Sequence, residues 1–288
     1  MERVTIYQES IMKRHSATIV LIAILTVVIL LLVPANISTG QNNPKLVKAK
    51  DGSGIIGYKD TPILPWCGYH VHDPDRPAPK KVTPTLPDVT GKTGKATTDA
   101  TVLFDGTDLR QWQTSDWKIE NSELIAVSGN LTTKQPFGDC QLHLEWMVPD
   151  PPQGGIWDRG NNGVMLMGLF EIQIYDSYTE KLYPDGQAAS VYGQTPPMVN
   201  ACRKPGQWQT FDIIFYAPSF KSGKLEKPAY VTVLHNGVLV HHNQKIYGRT
   251  GHRILPRYPK TMAEKLPLSL SAHNNPVRFR NIWIRPLF

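Results

Sequence analysis

The sequence predicts an all-β fold, a β-sandwich. About twelve short stretches read as strands, apolar and polar residues alternating in several, separated by turn residues. None carries a convincing amphipathic helical period. The 288 residues suit one large β domain or two small ones, and 24 Pro with 22 Gly match a chain of many turns. Hydrophobic residues make up 41% and charged residues 19%, so most of the chain should fold.

The elements follow in order. Residues 17–33 (ATIVLIAILTVVILLLV) carry no charge, follow Lys13, Arg14 and His15, and lead into Val33-Pro34-Ala35. This is the layout of a secretory signal, with cleavage expected after Ala35, so residues 1–35 are read as a signal peptide and the protein as exported, periplasmic or extracellular. The alternative is an N-terminal anchor, because seventeen apolar residues sit at the lower limit for a membrane span. Membrane contact is expected only through this segment.

Residues 36–99 form a Pro-rich leader with little regular pattern, extended as a linker or laid along a domain surface. Within it, His70, His72 and Asp73 are a candidate metal set, because His-x-His on a strand puts both rings on one face. The rival reading is that Trp66 and Tyr69 pin the leader to the domain. The three cysteines, Cys67, Cys140 and Cys202, match no metal motif; Cys140 is expected in the core, and a Cys67–Cys202 bridge is the one pairing open.

The sandwich domain spans residues 100–288. Thr101–Phe104 is a strand ended by Asp105-Gly106. Trp117–Glu120 and Glu123–Val127 form a hairpin through Asn121-Ser122. Cys140–Met147 alternates strictly, with Cys140, Leu142, Leu144 and Trp146 on its apolar face. Residues 149–162 are a loop of Pro, Gly and Asn, and Gly163–Met167 leads into the central strand that begins at Phe170. Later strands are Phe211–Tyr216, Tyr230–Leu234, Val238–His241, Leu266–Ser271 and Val277–Arg285. Asn236-Gly237 is a strong hairpin signal. The net charge of +7 comes without a Lys/Arg block, so no nucleic-acid partner is expected.

The functional centre is the strand Phe170-Glu171-Ile172-Gln173-Ile174-Tyr175-Asp176. Side chains two apart share a face, so Ile172 and Ile174 enter the core while Glu171, Gln173 and Tyr175 face the other way. A carboxylate, an amide and a phenol in a row suit sugar hydroxyls; the plain alternative is a solvated sheet face. Asp176 falls on the wrong face unless a β-bulge brings it round beside Glu171.

Several stretches together resemble a known family: LFDGTDLRQW at 103–112, NNGVML at 161–166, FEIQIYDS at 170–177, PPMVNACRKPGQWQTFDIIF at 196–215, VTVLHNGVLV at 231–240 and NPVRFRNIWIRPL at 275–287. They are similar to the 3-keto-disaccharide hydrolase domain over residues 100–288, and the leader looks like that of a planctomycete-type exported subgroup. The resemblance implies a concanavalin A-like jelly-roll sandwich, similar to glycoside hydrolase family sixteen, acting on an oligosaccharide or oxidised glycoside. In that larger family the catalytic strand reads Glu-x-Asp-x-x-Glu. The matching positions here are Glu171, Gln173 and Asp176, so an amide stands where the middle carboxylate would be.

Three functions follow as expectations. A retaining glycosidase would pair Glu171 with Asp176 at a carboxyl separation of about 5–5.5 Å. A 3-keto-glycoside lyase or hydrolase would use Glu171 to take the C2 proton, His273 or Tyr192 as the acid, and Arg159 or a divalent metal on Glu171 and His273 to hold the enolate. A carbohydrate-binding module would use the same face without turnover. No cofactor beyond that metal is implied. The family pattern Leu-Gln-Asp-His-Gly stands here as Leu270-Ser271-Ala272-His273-Asn274, so the histidine lacks its acidic neighbour. Substrate-binding candidates are Gln173, Arg159, Asn162, Tyr192, Asn200, Arg278 and Trp157, the last as a stacking surface; Trp208 is expected in the core.

Overall fold

Two antiparallel sheets share one apolar core. The structure, a computed structural model, describes residues 45–81, 96–179 and 181–287, and the N-terminal apolar run lies outside them. Residues Pro44–Phe288 make one compact unit. No helix among the described residues is long and apolar enough to cross a membrane. The fold is β throughout, with a single 3-10 turn at Pro184–Gly186 as the helical element among the described residues.

The smaller sheet orders its strands Phe170–Ile174, Asn162–Leu166, Leu266–Ala272 and Gly129–Phe137. The larger runs Val238–Lys245, Tyr230–His235, Gln209–Tyr216, Cys140–Met147, Arg278–Pro286, Glu123–Ile125 and Lys118–Glu120, with Thr101–Phe104 also on Arg278–Pro286. Alternation dictates which side chains meet between them. Val164, Phe170, Ile172, Ile174 and Leu270 from the first sheet join Leu142, Leu144, Trp146, Phe211 and Ile213 from the second, all fully buried. The hairpin turns behave as their residues require: Asn121 and Ser122 have φ of 53° and 60°, and Asn236 and Gly237 have 55° and 77°. The strand Gly129–Phe137 was not evident in the sequence, because Lys134, Gln135 and Pro136 break its alternation.

The described part of the leader packs on this sandwich. Leu46–Lys48 pairs with Ile56–Tyr58, and Lys80–Lys81 pairs in parallel with Val199–Asn200. Trp66 stacks on Tyr247 with ring centroids 3.6 Å apart and planes within 2°. The metal set of His70, His72 and Asp73 does not assemble. His72 has φ of 63°, which breaks the strand geometry that would align the rings. His70 bonds the Thr61 carbonyl, Asp73 pairs with Lys59 at 2.6 Å, and His72 turns to Asp185. The three thiols are free, with Cys140 and Cys202 buried, so no Cys67–Cys202 bridge forms.

Candidate active site

Phe170–Ile174 is the outer strand of the smaller sheet, and its register with Asn162–Leu166 runs without a shift, from Phe170 opposite Leu166 to Ile174 opposite Asn162. Burial of Ile172 and Ile174 at 0% exposure therefore forces Glu171 and Gln173 to the other face. There they line a pocket of about 540 Å³ with Tyr58, Trp157, Asp158, Asn161, Tyr183, Tyr192, Gly251, His252 and His273. That size suits a small-molecule or sugar ligand.

Glu171 is the centre of this pocket. Burial alone pushes its carboxyl pKa up to about 8. With its amide oriented to satisfy both ends, Gln173 donates to Glu171 Oε1 at 3.1 Å and to the Asn162 carbonyl at 2.9 Å. Gly163, opposite Gln173, makes the room: a Cβ there would stand 2.2 Å from Glu171 Oε1. Gly163→Ala is accordingly expected to displace the carboxylate and cut turnover by about 10²-fold, the scale of a 1 Å misplacement. Steady-state kinetics beside circular dichroism would check that activity falls while the fold persists.

The wall beyond Glu171 is aromatic. Tyr192 Oη lies 3.0 Å from Tyr183 Oη and 3.0 Å from His252 Nδ1. Burial raises both phenol pKa values above their ordinary range and lowers the His252 imidazole to about 4, leaving it neutral near pH 7. Behind them, His72 stacks on Tyr183 at 4.0 Å and on His252 at 5.0 Å. Its tautomer is set by its partners. The Arg253 backbone N–H donates to Nε2, so Nδ1 carries the proton and donates to Asp185 at 3.1 Å. Asp185, fully buried, also faces Arg76 at 3.6 Å; although burial opposes its charge, His72 and Arg76 hold its pKa below the ordinary carboxylate range. Tyr58 packs on Trp157 at 6.2 Å across the mouth.

Of the residues singled out in the sequence, Glu171, Gln173, Tyr192, Trp157 and His273 face this pocket. His273 is exposed at its rim; the surrounding protein lowers its pKa, and the Asp158 carboxylate opposes that. The others lie elsewhere. No bulge brings Asp176 round: its carboxylate binds Arg159 at 3.1 Å and it is buried off the pocket, so neither the Glu171–Asp176 pair nor an Arg159 enolate clamp is assembled. Asn162 is buried and bonds the Asn161 and Asn275 carbonyls. Asn200 bridges the Ser177 carbonyl and the Cys202 N–H, a turn-holding role. Arg278 sits on the larger sheet, paired with Glu123 at 2.6 Å. Trp208 is half-buried under the Arg280 guanidinium at 4.0 Å rather than in the core.

Tyr58, Asp158, Asn161, Tyr183 and His252 were not legible in advance. They come from loops and from the leader, where no periodicity marks a side chain's direction. As for a metal, Asp158, Glu171, His252 and His273 line the pocket, but no group of three or more His, Cys, Asp or Glu converges among the described residues. A resident metal is thus not fitted by these side chains.

Residues 99–285 match the model of the 3-keto-alpha-glucoside-1,2-lyase-like domain. A candidate glycosyl hydrolase from Parabacteroides distasonis ATCC 8503 is 39% identical, with a TM-score of 0.66 over 73% of this chain and 93% of that one. A second from the same organism, 23% identical, aligns with a TM-score of 0.50 over 65% and 99% of the two chains, a likeness of fold. No curated protein matches the chain.

Proposed function

The chain belongs to the 3-keto-alpha-glucoside-1,2-lyase-like family, a carbohydrate-active, glycosidase-like enzyme at that level, and we propose that its pocket cleaves 3-keto-glycosides by elimination. A ketone at C3 acidifies the C2 proton. Glu171 removes it, the electron pair forms the C1=C2 bond through an enolate, and the glycosidic oxygen leaves from C1 with a proton. Water adds back later where hydrolysis is the net result.

The observation that carries this reading is the half-buried Glu171 carboxyl in a pocket whose lining has no Lys or Arg, where burial pushes its pKa up to about 8. A base with a pKa near the working pH is efficient at taking a carbon-bound proton. Phenol and imidazole N–H or O–H groups are the donors for the enolate oxygen. Elimination from a uronate would instead need a cation to neutralise the sugar carboxylate, and the lining supplies none, so a neutral ketone is the better activating group. Aromatic rings from Trp157, Tyr58 and Tyr192 suit the faces of a sugar. The basic and apolar run at residues 13–35 supports export, with a membrane anchor as the alternative.

The test is release of nitrophenol from a 3-keto-glucoside, with and without chelator, beside the unoxidised glucoside. Release from the keto substrate alone, lost in Glu171→Gln, is the expected result. Release from the plain glucoside would favour a two-carboxylate glycosidase using Glu171 and Asp158. Binding without release would make the domain a binding module. The pH dependence is a further check. Glu171 is active only when deprotonated, so kcat/KM is expected to rise with pH and level off above about 8. A plateau already reached at pH 6 would remove Glu171 from the role of base.

A further inference from the structure

We infer that Tyr58, a leader residue outside the family domain, is the donor that holds the ketone oxygen of the substrate and the enolate formed from it. The family match begins at residue 99, so a group from the leader completes the catalytic pocket. This inference rests on the elimination reading above and names the group that meets the negative charge.

Removal of the C2 proton puts an electron pair on the C3 oxygen, and the lining has no Lys or Arg to meet it. A neutral donor must do so, and most are engaged already. Tyr183 and Tyr192 bond each other at 3.0 Å, and Tyr192 also bonds His252 at 3.0 Å. The Asn161 amide donates to the Trp157 carbonyl at 2.9 Å, and the Gln173 amide to Glu171 Oε1 at 3.1 Å. Tyr58 differs. It is 4% exposed and lines the pocket, yet among the described residues its hydroxyl has no hydrogen-bond partner. Nor is that oxygen closed off inside the protein, so it opens to the pocket. Buried hydroxyls are ordinarily bonded, and one left open in a pocket is completed by an oxygen of the ligand. His273, exposed at the rim, and the half-buried Trp157 indole compete with bulk water for such a bond, and Tyr58 competes least.

The leader fixes Tyr58 in place. Its N–H donates to the His72 carbonyl at 2.8 Å, and Gly57 permits that approach, because a Cβ there would stand 2.2 Å from the same oxygen. Ile56 N–H donates to the Lys181 carbonyl at 3.2 Å, which ties the strand Ile56–Tyr58 to the segment carrying Tyr183. Around the ring, His252 lies 5.6 Å away and Trp157 and Tyr183 each 6.2 Å. The Arg253 guanidinium sits over it at 4.6 Å and bonds Asp60 at 2.9 Å. Burial raises the phenol pKa while the Arg253 charge opposes the rise, so the hydroxyl keeps its proton near pH 7 and can donate. In the reaction Glu171 takes the C2 proton, the C2–H electron pair moves onto the C3 oxygen, and Tyr58 donates to that oxygen. The pair then returns, C1=C2 forms, and the C1–O1 bond breaks with its electrons on O1. O1 takes up the proton that Glu171 releases, through water, while Tyr58 keeps its own. The products are the free alcohol and the C1=C2 enone of the keto sugar, with no oxidant or reductant consumed.

The experiment compares the whole protein with Tyr58→Phe on both anomers of methyl 3-keto-glucoside, following methanol release and, in deuterium oxide, exchange of the C2 hydrogen. Calorimetry measures binding of the unoxidised methyl glucosides, which carry no ketone. Expected is a fall of about 10²-fold in kcat and kcat/KM together, the mark of a bond made in the transition state, with C2 exchange falling alongside. Binding of the plain glucosides is expected to stay within threefold, whereas a structural defect would weaken it as well. A kcat within threefold of wild type, or an equal loss in binding of the plain sugar, would overturn the assignment to Tyr58. Where the phenylalanine variant does not fold, 3-fluorotyrosine in place of Tyr58 keeps the ring and the hydroxyl and donates more strongly; kcat is then expected to rise, and an unchanged or lower kcat overturns the role. No cleavage and no C2 exchange by the wild-type protein on either anomer would defeat the elimination reading itself.

Discussion

Glu171→Gln is expected to lower turnover of a 3-keto-glycoside by roughly 10²–10⁴-fold while making the protein more stable above pH 8. The activity loss follows from the role of base: an amide of nearly the same shape fills the site but cannot accept the C2 proton. The stability gain follows from linkage. Burial raises the folded pKa of Glu171 from 4.5 to about 8, so the folded state binds this proton more tightly than the unfolded chain. The wild-type contribution is whole below the unfolded value of 4.5. It is lost as pH rises from there through about 8, and stays lost above, a difference on the order of a few kcal/mol. The glutamine variant carries no charge at any pH and escapes the loss. Thermal melts at pH 4 and pH 9 check this: the variant should gain on wild type between them. A gap independent of pH would mean that Glu171 is not held protonated by the fold.

The second large effect is at Asp185. Asp185→Asn is expected to destabilise the protein by about 3–5 kcal/mol, the range for removing one partner of a buried ion pair. Arg76, itself buried, would lose the carboxylate 3.6 Å away, and His72 would lose its Nδ1 acceptor at 3.1 Å and the bond from its backbone N–H. The sign with pH is the reverse of Glu171. Asp185 is held below its ordinary value of 3.8, so its contribution is present above that pH and is lost as pH falls through the lower folded value. Urea titrations at pH 7 and at acidic pH should show wild type and variant far apart at the first and converging at the second. Activity is expected to fall with stability, because His72 carries the rings of Tyr183 and His252. A variant as stable as wild type would show that the His72–Asp185 pair does not support this wall.

Much of the architecture was legible from local chemistry. Asn236-Gly237 demanded a tight hairpin because both residues tolerate positive φ. Cys140 to Trp146 declared a buried face by strict alternation. The same period of two told which way Glu171 and Gln173 point, since Ile172 and Ile174 needed the core. Gly129–Phe137 escaped notice because its polar interruptions carry no such period, and its place in the sheet comes from pairing with Leu266–Ala272.

What the sequence by itself determined is thus the sandwich, the pocket face of the central strand and the carboxylate at its middle. Parity along a strand is a property of neighbouring residues, readable without the fold. Tertiary structure decided the rest. It left the strand unbulged, so Asp176 went to Arg159 instead of joining Glu171. It brought Tyr58 and His72 from the leader to Tyr183, Tyr192 and His252, residues up to 194 positions away in the chain. Which loops meet over a sheet is set by the burial of rings and the pairing of buried charges such as Asp185. Those are sums over long-range contacts, and no local pattern records them.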